Sequence, residues 1–330
     1  MARPVAAPRA GEVSGATPAR RARPAPTRIY VYLALGILCI AFSAIFTRWA
    51  AVPGTVSAFY RMAIAAVALA LPFARIQTRQ SRQSRQARAA GPMAQPSRPS
   101  WRVWALAGAT GIFFALDLAF WNTSLFLTSA ATATLLGNDA PIIVGLGALL
   151  LFRERLGAAY WLGLAVALAG MVIIAGPDVL ARSHLGAGDA LALTGGAAYG
   201  CYLLATQRLR VHLDALSALW VPAVTGAVLL LVFDLAQRQV LWGFSARTYA
   251  ALLVLGLVIQ VGGWLAITHA LGHLPAAVVS VTLLAQPVLT ALLAVPLLGE
   301  ALSVDQVIGG VVALAGIYLV NRRGTAPAEV

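Results

Sequence analysis

The chain contains no lysine. All 24 of its basic residues are arginine, set against 11 acidic residues, for a net charge of +13. Without lysine there is no GxxxxGK phosphate loop, so that route to nucleotide hydrolysis is excluded. Charged residues make up only 11% of the 330 positions while 60% are hydrophobic, so lipid must be the solvent for much of the chain. The arginines do not form a nucleic-acid footprint, because they fall in tails and in connections between apolar segments. The two cysteines, Cys39 and Cys201, both lie inside apolar segments and suggest neither a disulfide framework nor a metal site. The four histidines, His184, His212, His269 and His273, form no HExxH pattern and no serine–histidine pairing. No cofactor and no metal are expected.

What the chain does have is a duplication. Residues 130–175 read AATATLLGNDAPIIVGLGALLLFRERLGAAYWLGLAVALAGMVIIA, and 146 residues later, without a gap, comes AAVVSVTLLAQPVLTALLAVPLLGEALSVDQVIGGVVALAGIYLVN. The landmarks Pro141/Pro287, Glu154/Glu300, Leu156/Leu302, Gly163/Gly309 and the shared VALAG at 166–170 and 312–316 keep one frame. Shared apolar composition scatters Leu and Ala matches, but it does not align a mid-segment proline, a terminal glutamate and a glycine.

Hydrophobic runs long enough to cross a hydrocarbon core of roughly 30 Å occur ten times. They are placed at about 30–49, 54–74, 102–124, 128–152, 158–176, 187–206, 215–234, 247–270, 275–298 and 303–321. The expected fold is an all-α membrane protein of ten transmembrane helices, arranged as two inverted five-helix repeats. The organisation that follows is a disordered cytoplasmic tail at 1–29, a first repeat at 30–176, a second at 187–321 and a short cytoplasmic tail at 322–330. The stretch 75–100, with RQSRQSRQAR and a Pro/Ser-rich run, is expected to be a disordered cytoplasmic insertion. It reads either as a solvated segment that fixes topology or as an anionic-lipid patch.

With the N-terminus inside, nineteen arginines fall on the cytoplasmic side. Four (Arg48, Arg182, Arg238 and Arg247) fall outside, and Arg61 lies within the second segment. That bias places both termini in the cytoplasm of a cell (inner) membrane. Five helices per repeat is an odd number, so the second repeat enters the membrane the opposite way. Inverted repeats are a recurring plan of secondary transporters, with the site near the midplane between the halves.

These residues also carry a resemblance. LFRERL at 151–156 and LLGEAL at 297–302, the preceding Pro141 and Pro287, the two VALAG endings, Gly188–Asp189 and Arg61 in AFYRMAIA resemble the EamA-type transporters of the drug/metabolite transporter superfamily. The resemblance spans about residues 30–321. It implies a ten-helix inner-membrane permease or exporter of small metabolites, amino acids or drugs, working without nucleotide hydrolysis.

Polar residues inside the spans are few, and each should face the bundle or a cavity, since an ionised group at the bilayer centre costs about 2.5–3.5 kcal/mol on insertion scales. Arg61, Asp117, Trp121, Asn138, Asp139, Gln260, Trp264 and Gln286 are the candidates for substrate binding or coupling. Arg61 reads either as snorkelling to the headgroups or as half of an ion pair with Asp117, at similar depth. Asp139 is the deepest carboxylate and the expected proton carrier, with Asp117 the alternative. Pro141 should leave the carbonyl of Gly137 without its helical partner, and Pro287 that of Leu283. Gln260 and Trp264, one turn apart, should line the site together. Glu154 and Glu300 are assigned, with the two prolines, a structural or gating role.

The function expected is a secondary transporter of small metabolites such as amino acids or drug-like compounds, by alternating access around a midplane site, with proton coupling. Its partners are a small-molecule substrate, the lipid bilayer, protons and, as an option, a second copy of the chain; nucleic acid is not among them. A membrane-embedded enzyme and a non-transporting scaffold are the competing classes. The topology is open to a direct check. A reporter active only outside the cytoplasm, fused after Arg323, should give no signal, and full activity there would reject the ten-helix arrangement.

Overall fold

The computed structural model describes residues 27–90, 99–128, 130–176, 186–299 and 301–323, and every described element is a helix. The first repeat comprises α1 (Thr27–Ala50), α2 (Gly54–Ala90), α3 (Trp101–Leu127), α4 (Ala130–Gly137 and Ala140–Leu151) and α5 (Ala158–Ala175). The second comprises α6 (Ala187–Arg210), α7 (Ala215–Ala236), α8 (Ala246–Leu271), α9 (Ala276–Leu298) and α10 (Val304–Arg323). Among the described residues, nine of these helices are long and apolar enough to cross a membrane. The exception, α6, has 24 residues and is rich in glycine and alanine, half of it buried among its neighbours. A helix packed inside a membrane bundle needs small residues for close approach rather than large ones for lipid.

The inversion is visible where α5 crosses α10. A Cβ on Gly163 would stand 2.8 Å from the Gly316 carbonyl, and one on Gly170 would stand 2.6 Å from that of Gly309. The reciprocal distances are 2.6 Å from Gly309 to the Gly170 carbonyl and 2.5 Å from Gly316 to that of Gly163. Numbers rise along one helix as they fall along the other, so the two run antiparallel. Gly163 and Gly309, like Gly170 and Gly316, are 146 residues apart and hence repeat mates. Mates packed antiparallel on one another define a pseudo-two-fold axis in the membrane plane.

A second contact type is swapped between repeats. Gly36 of α1 seats against Gly263 and Ile267 of α8, while Gly195 of α6 seats against Asp117 and Trp121 of α3. Asp117/Gly263 and Trp121/Ile267 keep the 146-residue frame, so that frame extends back into α3 and α8.

The helices bend at defined points. α4 is interrupted at Asn138–Asp139 and α9 at Leu284, 146 residues after Asn138. α1 is interrupted at Phe42, and α8 contains a π-helical stretch, Leu255–Gly263. The mates of α1 and α8, which are α6 and α3, are each one unbroken helix. Distortion is therefore concentrated in a packed pair of helices and absent from the equivalent pair.

The stretch 75–100, expected to be disordered, instead carries α2 as far as Ala90. Arg, Gln and Ala are good helix formers, and no glycine or proline interrupts RQSRQSRQAR before Gly91–Pro92. Polar composition alone does not exclude a helix. Residues 91–98 and most of both tails lie outside the described residues, although Thr27 to Ile29 and Arg322–Arg323 are helical.

The α5–α10 crossing predicts a stability effect. Gly170→Ala forces a methyl group onto the Gly309 carbonyl and should destabilise by about 1–3 kcal/mol, as overpacking does. Gly108→Ala, inside α3, whose new methyl group comes no nearer than 3.8 Å to a neighbour, should not lower the unfolding midpoint in detergent. Equal midpoints for both variants would show that the crossing is loose.

Candidate functional site

Between the two repeats lies a cavity of about 520 Å³. Its wall on α3 is formed by Phe114, Asp117, Leu118 and Trp121, spaced i, i+3, i+4 and i+7 so that all four share one helical face. α2 contributes Arg61, α4 Gly137 and Asn138, α8 Trp264, and α9 Gln286 and Pro287. The lining also reaches Arg48 at the end of α1, Ala175 at the end of α5, Leu298 at the end of α9 and Gln306 at the start of α10. These positions share one end of the bundle.

Arg61 is the centre of the site. It is only 9% exposed, so its guanidinium must be held by protein groups. Its Nε donates to Gln260 Oε1 at 2.6 Å and its Nη1 to Ser43 Oγ at 3.1 Å. The guanidinium carbon lies 5.9 Å from the centroid of Phe114, in cation–π range. Phe114 and Gln260 are 146 residues apart, so Arg61 is gripped by the equivalent position of each repeat, by a ring from one and an amide from the other. The π-helical stretch of α8 carries Gln260 to this position, a distortion often found at functional sites. Beneath lies an aromatic cluster. Phe114 stacks on Tyr202 at 4.5 Å between centroids, and Trp264 meets Phe114 edge-on at 4.9 Å and Tyr202 at 5.2 Å.

The candidate residues divide into those on the cavity and those behind it. Arg61, Asp117, Trp121, Asn138, Trp264, Gln286 and Pro287 line it. Among the described residues Arg61 and Asp117 form no ion pair, although both line the same cavity. Asp139 does not line it. One step of about 100° around α4 separates it from Asn138, and its carboxylate packs against Gly196 of α6, with Oδ1 buried and unpartnered. Gln260 does not share the wall with Trp264; it is fully buried behind Arg61 and orients it. Pro141 is buried, and its carbonyl accepts from Tyr160 Oη at 3.2 Å. Asn138 Nδ2 donates to the Thr134 carbonyl at 2.6 Å, and Gln286 Nε2 donates to that of Ile40 at 3.4 Å.

Glu154 lies at the other end of the bundle. Its Oε1 accepts from Gln207 Nε2 at 3.1 Å, while Gln207 Oε1 accepts from the Ala276 amide at 2.8 Å. One glutamine thus ties the ends of α4 and α6 to the start of α9. Nearby, Arg210 donates from Nε to the Thr268 carbonyl at 3.0 Å and also to the Leu213 carbonyl. Glu300 lies outside the described residues. Sequence reasoning missed Ser43, Phe114 and Gln207. Ser43 and Gln207 were visible as polar residues in apolar segments, whereas Phe114 carried no signal of its own.

The model of the EamA-like transporter family matches residues 27–176 and 186–322. The chain belongs to the EamA-like transporter family. It is a multi-pass membrane transporter, and both family and relatives point to transport rather than to an enzyme. A probable terminal-alkyne amino-acid exporter of Streptantibioticus cattleyicolor is 31% identical over 66% of this chain and 72% of its own length. The uncharacterized transporter YwfM of Bacillus subtilis is 24% identical over 66% and 73%. An uncharacterized transporter of Archaeoglobus fulgidus is 26% identical over 67% and 75%. A solved crystal structure superposes with a TM-score of 0.71 over 91% of this chain and 99% of the other, at 21% identity, a likeness of fold alone.

The grip on Arg61 can be tested by substitution. Gln260→Leu leaves a buried guanidinium short of an acceptor and should cost about 1.5–3 kcal/mol, the range for hydrogen bonds to charged groups. Gln286→Leu loses only a 3.4 Å contact and should cost much less. If thermal unfolding in detergent shows the two variants equally stable, Gln260 does not hold Arg61.

Proposed function

We propose that the chain exports amino acids or amino-acid-like zwitterions by alternating access around the Arg61 cavity. The observation that carries this is the presence of Arg61 and Asp117, opposite in sign and not paired with each other, on one cavity of about 520 Å³. A guanidinium pairs with a carboxylate in a planar, bidentate fashion, and Asp117 suits an ammonium group. The aromatic faces of Trp121, Trp264 and Tyr199 suit an apolar side chain between them. The exporter of Streptantibioticus cattleyicolor, named for an amino acid, agrees with this reading.

The same geometry supports a reading of direction and coupling. With both termini cytoplasmic in an inner membrane, as the arginine bias has it, the cavity opens outward. The Glu154–Gln207–Ala276 contacts then close the inner end. Export requires that seal to open and the outer end to close, with the crossing of α5 and α10 as a natural pivot. The proton carrier is assigned to Asp117 rather than Asp139, because Asp117 faces the cavity. Protonation of Asp117 would displace the substrate's ammonium group, so proton and substrate would compete for one carboxylate.

Counterflow in proteoliposomes tests the substrate class. Apolar amino acids should exchange, and their methyl esters and N-acetyl derivatives should not, each having lost one charge. Equal exchange of the esters would rule out a carboxylate on Arg61. For coupling, Asp117→Asn should abolish accumulation driven by a pH gradient, whereas Asp139→Asn should retain most of it. The reverse ranking would return the carrier role to Asp139.

A further inference from the structure

A second cleft, of about 440 Å³, lies at the opposite end of the bundle from the mouth of the transport cavity. It is formed where the start of α3 meets the end of α6. Arg102, Arg208 and His212 supply its polar wall, and Val103, Leu106 and Val211 its apolar one. Neither Arg102 nor Arg208 has a carboxylate partner among the described residues. The contrast is with Arg210, two residues beyond Arg208, which is bound to the Thr268 and Leu213 carbonyls. Arg102 instead lies over the Trp101 ring, 6.0 Å from its centroid, and that ring is 75% exposed. Val211, on the other lip, is 67% exposed. An exposed tryptophan beside an arginine at a helix end is the arrangement that sits at headgroup level.

We infer that this cleft binds an anionic phospholipid of the inner leaflet, with its phosphate between Arg102 and Arg208 and an acyl chain along Val103, Leu106 and Val211. Two arginines lining one cleft, neither with a carboxylate partner among the described residues, suit a phosphate, to which each can offer a planar pair of donors. The apolar wall and exposed lips favour a lipid over a free anion, since they offer acyl chains a surface and water none. Basic pockets between helices on the cytoplasmic side are known lipid headgroup sites. The location gives the lipid a task. A phosphate bridging Arg102 and Arg208 ties α3, which carries Asp117 and Trp121, to the end of α6, one residue from Gln207 of the inner seal. Bound lipid would therefore hold that seal closed. The inference shares the inside orientation with the transport reading but does not depend on the substrate.

The test uses the full-length protein purified in detergent. Native mass spectrometry and thermal unfolding are run with phosphatidylglycerol, phosphatidylcholine or inorganic phosphate. Phosphatidylglycerol should be retained and raise the unfolding midpoint, while phosphatidylcholine and inorganic phosphate should do neither. The Arg102→Gln/Arg208→Gln double variant changes only exposed side chains. It should retain phosphatidylglycerol about tenfold or more weakly, each surface arginine near anionic lipid counting for roughly one kcal/mol. Arg102→Lys/Arg208→Lys should recover part of the binding. Arg153→Gln/Arg155→Gln removes the same charge from the same face and should retain lipid like the parent. Equal loss in that control would mean diffuse attraction and no site. Unchanged retention in the Arg102/Arg208 variant, or an equal midpoint shift with inorganic phosphate, would likewise overturn the assignment.

Discussion

The close antiparallel approach of α5 and α10 is the contact on which the architecture rests. Lipid tails are as apolar as leucine, so helices in a bilayer gain nothing by hiding apolar surface from one another. They associate through van der Waals contact, and that contact is strongest where backbones approach. Gly163, Gly170, Gly309 and Gly316 carry no side chain at the crossing, which lets carbonyls of one helix lie against α-carbons of the other. Because the four glycines are two pairs of repeat mates, one contact both joins the repeats and fixes their pseudo-two-fold relation. The cavity lies between the halves that this contact holds together.

A second constraint is the satisfaction of backbone groups away from water. Each break in a spanning helix frees carbonyls, and side chains collect them. At the α1 break, Gln286 donates to the Ile40 carbonyl and Thr290 to that of Ala41 at 2.8 Å. At the α4 break, the Asn138 N–H turns to the Leu135 carbonyl and the Asn138 side chain takes the Thr134 carbonyl so released, at 2.6 Å. The breaks are thus joints fastened by side chains, and they turn residues such as Ser43 and Asn138 toward the cavity. Symmetry supplies the frame and its violations supply the chemistry. Asp117 stands where the second repeat has Gly263, Leu118 where it has Trp264, and Phe114 where it has Gln260. A symmetric cavity would present one kind of group twice; this one presents a cation, an anion and aromatic faces.

The helices and the repeat were legible because both are written in linear patterns. A run of about twenty apolar residues spans a bilayer whatever surrounds it, and a 146-residue frame can be read directly. The candidate site was legible only as a set of unusual residues. Intramembrane charge and amide groups are costly enough that they must face something, which singled out Arg61, Asp117, Asn138 and Gln286, four residues that line the cavity. Depth in the membrane does not decide which carboxylate faces the cavity. Asp139 is near the middle of its helix but points at Gly196, because the helix break at Asn138–Asp139 sets the direction of each side chain. The run RQSRQSRQAR failed differently, its polarity masking a helix propensity that continues α2 to Ala90.

By itself the sequence determined the all-helical membrane class, the duplication and its inversion, since each follows from composition, run length and an odd helix count. The landmark glycines 163 and 309 were also visible, though not the crossing they form. Only the tertiary structure decided which polar residues meet. Arg61, Gln260 and Ser43 come from three helices and are separated by up to 199 positions between hydrogen-bonded partners. Their meeting depends on a π-helical stretch in α8 and a break in α1, which arise from packing rather than from any local pattern. The same holds for Gln207, whose two contacts reach α4 and α9, and for Arg102 and Arg208, which are neighbours only because α3 packs along α6. Periodicity fixes the face of a helix, but which faces meet is settled by the mutual fit of helices, and no linear stretch of the chain contains that fit.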